Sequence, residues 1–237
     1  MIESVEELLA RFATVSQRGA LIRYYEMLME WNERMNLTAI VGRDDVFIKH
    51  FWDSLSVLDI DIFTDPEEPI RRIIDVGTGA GLPGLPLAIC RPDISVTLCD
   101  SLNKRTKFLE AVRDELHLNN IEIFHARSEE FARQKPHRNQ YDIVLARAVA
   151  KLNVLSELLV PFARPGGHVV AYKGPDVGNE ITDARHALNE LNARVVSSEA
   201  VALPREMGSR TLIVIQVDKL TAAKYPRRAG VPQKQPL

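Results

Sequence analysis

Cysteine is nearly absent from this chain: Cys90 and Cys99 are the two among 237 residues. Both sit in apolar runs, which excludes a disulfide framework and predicts reduced core thiols in a cytoplasmic protein. Long apolar runs are missing too. None approaches the roughly 20 residues of a membrane span, and residues 1–10 are acidic where a cleavable leader would be basic and apolar, so no membrane partner is expected. No paired histidines and no C-x-x-C offer metal-ligand spacing, so no metal is expected either. No G-x-S-x-G supplies a nucleophile elbow. An excess of one charge is also lacking: the net charge is −2. Nothing global therefore advertises nucleic acid, although basic residues can still cluster locally. What remains is ordinary globular composition, 46% hydrophobic and 26% charged, enough for one sizeable core and an appendage.

The densest information lies in residues 71–84, RRIIDVGTGAGLPG. A short apolar run ends at Asp75 and breaks into Gly77, Gly79, Gly81 and Gly84, and a helix-compatible segment follows. Strand, glycine turn and helix in that order form a seat for a nucleotide-like ligand at the end of a parallel strand. As a string, Gly79 to Gly84 matches the dinucleotide fingerprint G-x-G-x-x-G. The register opposes that reading, because Asp75 and Gly77 come first and a carboxylate at the strand exit repels a pyrophosphate. An acid there suits S-adenosylmethionine, which carries an amine and a sulfonium and no phosphate. Val96-Thr-Leu-Cys-Asp100 is a second strand ending in an acid, placed to accept from ribose hydroxyls of either ligand.

Residues 1–64 read as a helical cap, with Val5, Leu8, Leu9 and Phe12, then Leu21, Tyr24, Tyr25, Leu28 and Trp31, at helical spacing. Asp44 is the expected N-cap of a helix over 46–58. Residues 65–218 alternate. Strands are expected at 71–75, 95–100, 121–125, 141–146, 167–173, 194–202 and 210–217, and helices at 84–91, 103–117, 151–160 and 177–191. That order gives an α/β, doubly wound, seven-stranded, mostly parallel sheet. The last two strands have only a loop between them and must pair antiparallel, a layout shared by Rossmann-like methyltransferases. Residues 219–237 form a basic, proline-containing tail, extended and mobile unless something pins it.

Several side chains are candidates for chemistry. Lys104, Arg105 and Lys107 open the helix after Asp100 and make either a basic rim or a solvated face; Ser101 or Asn103 would cap it. Arg127, Arg133, Lys135, His137 and Arg138 add local charge, consistent with a phosphate-lined groove. Ser128 and Glu129 follow the third strand and are placed for a base edge, or for a helix cap with an acid in its first turn. Arg147 ends the fourth strand, where it would hold a carboxylate or phosphate bidentately, or pair a structural acid such as Asp142. Lys173 ends the fifth strand with the same two readings. His50, Asp53 and Ser54 share a helical face, but neighbours on one short helix cannot form a hydrolase triad.

After the fourth strand the chain reads Ala146-Arg147-Ala148-Val149, without the Asn/Asp-Pro-Pro-aromatic loop expected for methylation of exocyclic amines. Neither cysteine is placed as the nucleophile that pyrimidine C5 methylation needs. Guanine N7 has a lone pair and no proton to remove, so it requires alignment more than a base.

Taken together, Asn36-Leu-Thr38, His50-Phe-Trp-Asp-Ser-Leu55, Asp75-Val-Gly-Thr-Gly-Ala-Gly-Leu-Pro-Gly84, Ala146-Arg-Ala-Val-Ala150, Pro165-Gly-Gly167, Lys173-Gly174 and Tyr225-Pro-Arg-Arg-Ala-Gly230 resemble the ribosomal RNA small-subunit methyltransferase G family, also called glucose-inhibited division protein B. The resemblance runs nearly end to end. It implies a class I S-adenosylmethionine-dependent fold and methylation of guanine N7 at position 527 of 16S ribosomal RNA, near the decoding site, by a monomer with the small ribosomal subunit or its RNA as partner. S-adenosylhomocysteine would be the product. Carried over by position, Gly77, Leu82, Ser128, Glu129 and Arg147 are expected to bind the cofactor, joined by Gly79 and Asp100 from the physical reading. His50, Asp53 and Ser54 become an active-site wall, with no catalytic base assigned. Lys104, Arg105, Lys173, Arg227 and Arg228 are the expected RNA contacts, and the tail a docked, RNA-facing segment. A small-molecule methyltransferase of the same fold, or a cofactor-sensing regulator without turnover, are the alternatives.

Overall fold

A computed structural model describes residues 4–65, 69–147 and 150–237. Seven strands form one sheet: β1 (Arg72–Val76), β2 (Ser95–Asp100), β3 (Ile121–His125), β4 (Tyr141–Ala146), β5 (Ala163–Lys173), β6 (Ala193–Ala202) and β7 (Ser209–Val217). Their order is β3-β2-β1-β4-β5-β7-β6. The pairs from β3 through β5 are parallel, and β7 runs antiparallel between β5 and β6. The strand order reverses between β1 and β4, which opens a crevice at the carboxyl ends of the parallel strands.

The sheet is covered on both faces, as a parallel sheet must be. Alternation along β1 shows why: Ile73 joins one apolar core and Ile74 the other. The first core receives helices α1 (Val15–Met35), α2 (Arg43–Val46), α3 (Asp53–Leu55) and α4 (Asp61–Thr64), with α5 (Gly84–Cys90) and α6 (Asn103–Glu115). The second receives α7 (Ser128–Phe131), α8 (Leu152–Leu159), and the pair α9 (Gly178–Asp183) and α10 (Arg185–Glu190). A last short helix, α11 (Val231–Lys234), lies against α8.

Helix α1 starts with a capping box, in which Thr14 and Gln17 exchange side-chain and backbone hydrogen bonds. It ends at Asn36, whose φ of 51° closes the last turn in the left-handed region. Two long-range bonds fix α1 on the sheet. The Gln17 amide donates to the Cys90 carbonyl at 3.0 Å, and the buried Tyr24 hydroxyl donates to the Ala80 carbonyl inside the glycine loop.

The structure alters several expected elements. The strand expected from 167 starts at Ala163, because Gly166 (φ 79°) and Gly167 let β5 bulge against β4 without breaking. The single helix expected over 177–191 breaks at Ala184 after the weak helix formers Thr182 and Asp183. The cap expected at Asp44 belongs to Gly42, and the helix expected over 46–58 is π-helical from Phe47 to Trp52. Neither Ser101 nor Asn103 caps α6; Asp100 instead accepts from the Leu102 N–H.

Candidate functional site

The glycine loop between β1 and α5 is held from three sides. Asp75, fully buried, does not face a ligand: its Oδ2 accepts from the Thr78 hydroxyl at 2.6 Å and from the Gly84 N–H at 2.8 Å. It is the loop's own staple, which corrects the expectation that this carboxylate receives a cationic ligand. Burial pushes its pKa up to about 6, opposed by those two donors. The Cys99 carbonyl of β2 accepts from Gly77 and Thr78, and Tyr24 supports Ala80 from α1. Gly77, Gly79 and Gly81 have φ of 73°, 64° and 97°, a region that L side chains avoid. A Cβ on Gly77 would meet nothing within 4 Å, because it would project into open space above the loop.

Gly77 lines a cleft of about 190 Å³ over the ends of β1, β2 and β3. Val76, Leu155, Leu158 and Leu159 line it with apolar surface; Asp100, Ser128 and Glu129 supply polar groups. Asp100 is nearly buried and accepts from Gly79 N–H, Leu102 N–H and Arg105, so it knits the two loops that form the cleft wall. Three of its roughly four lone-pair positions are thereby used. Ser128 does not cap α7. Its hydroxyl donates to Glu129 Oε2 at 3.2 Å, and Glu129 Oε1 accepts from the backbone N–H of Gly230 at 2.9 Å. Leu82 is buried beneath the loop, in the core shared with α5 and α6. An adenosyl group fits this cleft: an apolar floor for the base, acids for hydroxyl and amine donors, and glycines where backbone must come close.

A second cleft, about 420 Å³, opens at the neighbouring ends of β4 and β5, lined in part by Lys49, His50, Arg147, Lys173, Glu180 and Arg210. Arg147 organises it. Its guanidinium donates to the Lys49 carbonyl at 3.1 Å, to Asp53 Oδ2 at 3.3 Å and to His50 Nδ1 at 3.2 Å. His50 Nδ1 also lies 3.2 Å from the Lys49 carbonyl, and Nε2 lies 2.8 Å from Thr38 Oγ1, so both ring nitrogens are engaged. Burial first, then the charge of Arg147, lowers the His50 pKa to about 4, so the ring is neutral. Asp53 is fully buried; burial raises its pKa while Arg147 and Arg210 oppose the rise. Its Oδ2 also accepts from Arg210 at 3.3 Å, and its Oδ1 has no partner among the described residues. Ser54 lies deeper: its carbonyl accepts from Tyr172, and its hydroxyl is likewise unpartnered among the described residues. The structure therefore brings together His50, Asp53 and Arg147, so Arg147, expected among the cofactor-binding residues, lines this second cleft rather than the first. Ala148 and Val149 of the strand-end motif lie outside the described residues.

Most expected RNA contacts have partners within the protein. Lys104 donates to the Met35 carbonyl at 2.9 Å, and Arg105 pairs with Asp100. Lys173 is buried, bonded to the Ala150 carbonyl and to Glu180. Arg227 pairs with the buried Glu157, and Arg133 and Arg138 hold carbonyls of the tail rather than lining a phosphate groove. Each of these basic groups has an acceptor within the protein, which composition alone does not reveal. Arg228 is exposed. Asp142 pairs with Arg164, not with Arg147.

Residues missed in the sequence are Lys49, Tyr172 and Arg210. Arg210 had a signal: it opens an antiparallel last strand, so it must reach the same edge as the carboxyl ends of the parallel strands. The π-helical turn that presents His50 and Asp53 together to Arg147 had none.

A family model described as rRNA small subunit methyltransferase G (GidB) matches residues 17–208. A protein of Streptococcus thermophilus strain CNRZ 1066 is 47% identical over 222 residues, covering 93% of this chain and 92% of that relative. One from Halalkalibacterium halodurans is 47% identical over 214 residues, covering 90% and 88%. Both are named Ribosomal RNA small subunit methyltransferase G. Among solved structures, magnesium protoporphyrin IX methyltransferase (ChlM) from Synechocystis PCC 6803 with bound SAM matches with a TM-score of 0.57 at 16% identity, covering 81% of this chain and 97% of that one. P. horikoshii TYW2 in complex with MeSAdo matches with a TM-score of 0.52 at 14% identity, covering 72% and 63%. At such identities the likeness shows the fold, a class I methyltransferase sheet. Near-complete coverage at 47% identity shows more: this chain belongs to the rRNA small subunit methyltransferase G family.

Proposed function

We propose that this chain methylates N7 of guanine 527 in 16S ribosomal RNA, with S-adenosylmethionine as donor. The observation that carries the reading is the pair of clefts side by side on the carboxyl edge of the sheet, flanking the β1–β4 reversal. One is glycine-rich and acid-rimmed; the other is built around a fixed guanidinium.

Bound in the first cleft, S-adenosylmethionine supplies a methyl group on a sulfonium. Gly77 and Gly79 keep the loop free of side chains, Asp100 and Glu129 offer acceptors, and Leu155, Leu158 and Leu159 give the base an apolar seat. In the second cleft, Arg147 and Arg210 present guanidiniums where a nucleotide phosphate or the guanine edge would approach, while Lys49 pairs with Asp45 and Lys173 with Glu180. N7 carries no proton, so the protein need only align the base. The chemistry of His50 agrees, because both its ring nitrogens are engaged and it is neutral at physiological pH. Among the described residues, no group of three or more His, Cys, Asp or Glu is placed to hold a metal ion, and no helix is long and apolar enough to cross a membrane.

The test is methyl transfer from labelled S-adenosylmethionine by purified protein to small subunits, naked 16S RNA and a metabolite pool. Label in RNA at guanine 527 supports the reading. Label confined to metabolites supports a small-molecule enzyme, and binding without transfer to any of them supports a sensor.

A further inference from the structure

The chain beyond β7 does not trail into solvent. Arg133 and Arg138 between them donate to the carbonyls of Thr221, Ala222, Ala223, Lys224, Tyr225 and Pro226, and the buried Tyr225 places its hydroxyl on Glu190 at 2.8 Å. The next residues meet a carboxylate that neither cleft uses. Glu157 is fully buried on α8, and its oxygens accept from the Arg227 backbone N–H at 2.7 Å, from Nε at 2.9 and 3.1 Å, and from the terminal guanidinium nitrogen at 2.6 Å. A buried carboxylate without such a partner is strongly unfavourable, so the seat for this segment is built into α8. The same helix turns Leu155, Leu158 and Leu159 toward the first cleft. Three residues after Arg227, the chain turns at Gly230 (φ 80°) and donates its N–H to Glu129, an acid of the cleft wall.

We infer that residues 219–237 are a strap that positions the methyl-donor cleft, with Arg227 as its pin and Gly230 as the group that sets the Glu129 carboxylate. The inference rests on assigning that cleft to S-adenosylmethionine. Glu129 has one oxygen on Ser128 and the other on the strap, so the carboxylate has a single orientation while the strap is seated. Release of the strap frees Glu129 and removes the packing of α11 on α8. Donor affinity and strap docking are then coupled, and linkage makes the coupling reciprocal.

The experiment uses the full chain and S-adenosylhomocysteine, without RNA. Calorimetry compares wild type with Arg227→Met and with the double variant Glu157→Met/Arg227→Met, which removes the pin without leaving a buried charge. Both variants are expected to bind about tenfold more weakly, the double variant being the more stable of the two because it leaves no buried charge; in turnover the loss falls on KM for S-adenosylmethionine and leaves kcat near wild type. Hydrogen exchange on wild type is expected to show added protection of residues 225–231 when S-adenosylhomocysteine binds, a readout that stands even if no variant folds. Wild-type affinity in the folded double variant, or unchanged exchange at 225–231 on binding, overturns the strap. Wild type that binds no S-adenosylhomocysteine overturns the cleft assignment instead, and the strap with it.

Discussion

Arg147 and Asp53 meet at 3.3 Å where the end of β4 faces the π-helical turn, and this contact ties the N-terminal helices to the carboxyl edge of the sheet. Asp53 also carries Arg210, so one buried carboxylate fixes two guanidiniums. Asp53→Ala leaves both without an acid. The variant is expected to lose about 2–4 kcal/mol of stability, toward the lower end because both arginines keep some solvent. A folded Asp53→Asn variant is expected to lose roughly 100-fold in kcat/KM on RNA, because the guanidiniums are no longer held in register. Urea titration and steady-state kinetics read the two effects separately.

Two buried groups titrate in opposite senses. His50 has a folded-state pKa of about 4, below its ordinary value of about 6.5, so the native state binds fewer protons between those values. It therefore removes stability as pH falls from about 6.5 to 4, on the order of 3 kcal/mol in full. Asp75 has a folded-state pKa of about 6, above its ordinary value of about 4, so the native state binds more protons there. It returns stability over nearly the same window by a similar amount. The contributions of these two groups nearly cancel between about pH 6.5 and 4. Asp75→Asn, which keeps an acceptor for Thr78 and Gly84, removes the compensating half, and its stability is expected to fall more steeply with acid. Unfolding free energy measured at several pH values checks the slope.

The loop glycines separate binding from folding. At Gly77, alanine is strained by about 1–2 kcal/mol and places its methyl group in the cleft. Gly77→Ala is expected to weaken S-adenosylhomocysteine binding at least tenfold in a folded protein. At Gly84, a Cβ would overlap Leu98 Cδ2 and crowd Asp75 Oδ2. Gly84→Ala is expected to destabilise by about 1–3 kcal/mol. Thermal melts and calorimetry on the pair distinguish the two roles.

Arg228 and Arg105 should differ in the same way. Arg228 is exposed on the strap, so Arg228→Ala is expected to weaken RNA binding and reduce the slope of log affinity against log salt by about 1. Arg105 serves Asp100, so Arg105→Ala is expected to change donor affinity and leave that slope intact. Filter binding over a salt series checks both.

The sheet was legible because its signals are local. Acid-tipped apolar runs, glycine clusters and the short loop between β6 and β7 are written in a few residues each. The roles of the charged groups were not. Asp75 and Asp100 read as a bracket around a ligand, yet Asp75 staples its own loop, while Asp100 lines the cleft and also joins two loops. Which acid takes which base depends on contacts such as Arg227 with Glu157, 70 residues apart, and no periodicity encodes that distance. The docking of the tail was legible only through the family resemblance: its composition alone matches a disordered segment, and its order comes from Arg133, Arg138 and Glu157 elsewhere in the chain.

The most direct test of the account is mass mapping of 16S ribosomal RNA from cells with and without the gene for this chain. The account predicts that N7-methylguanine at position 527 disappears with the gene and returns with wild-type protein but not with Gly77→Ala at limiting donor. Methylation at 527 that persists without the gene would contradict it.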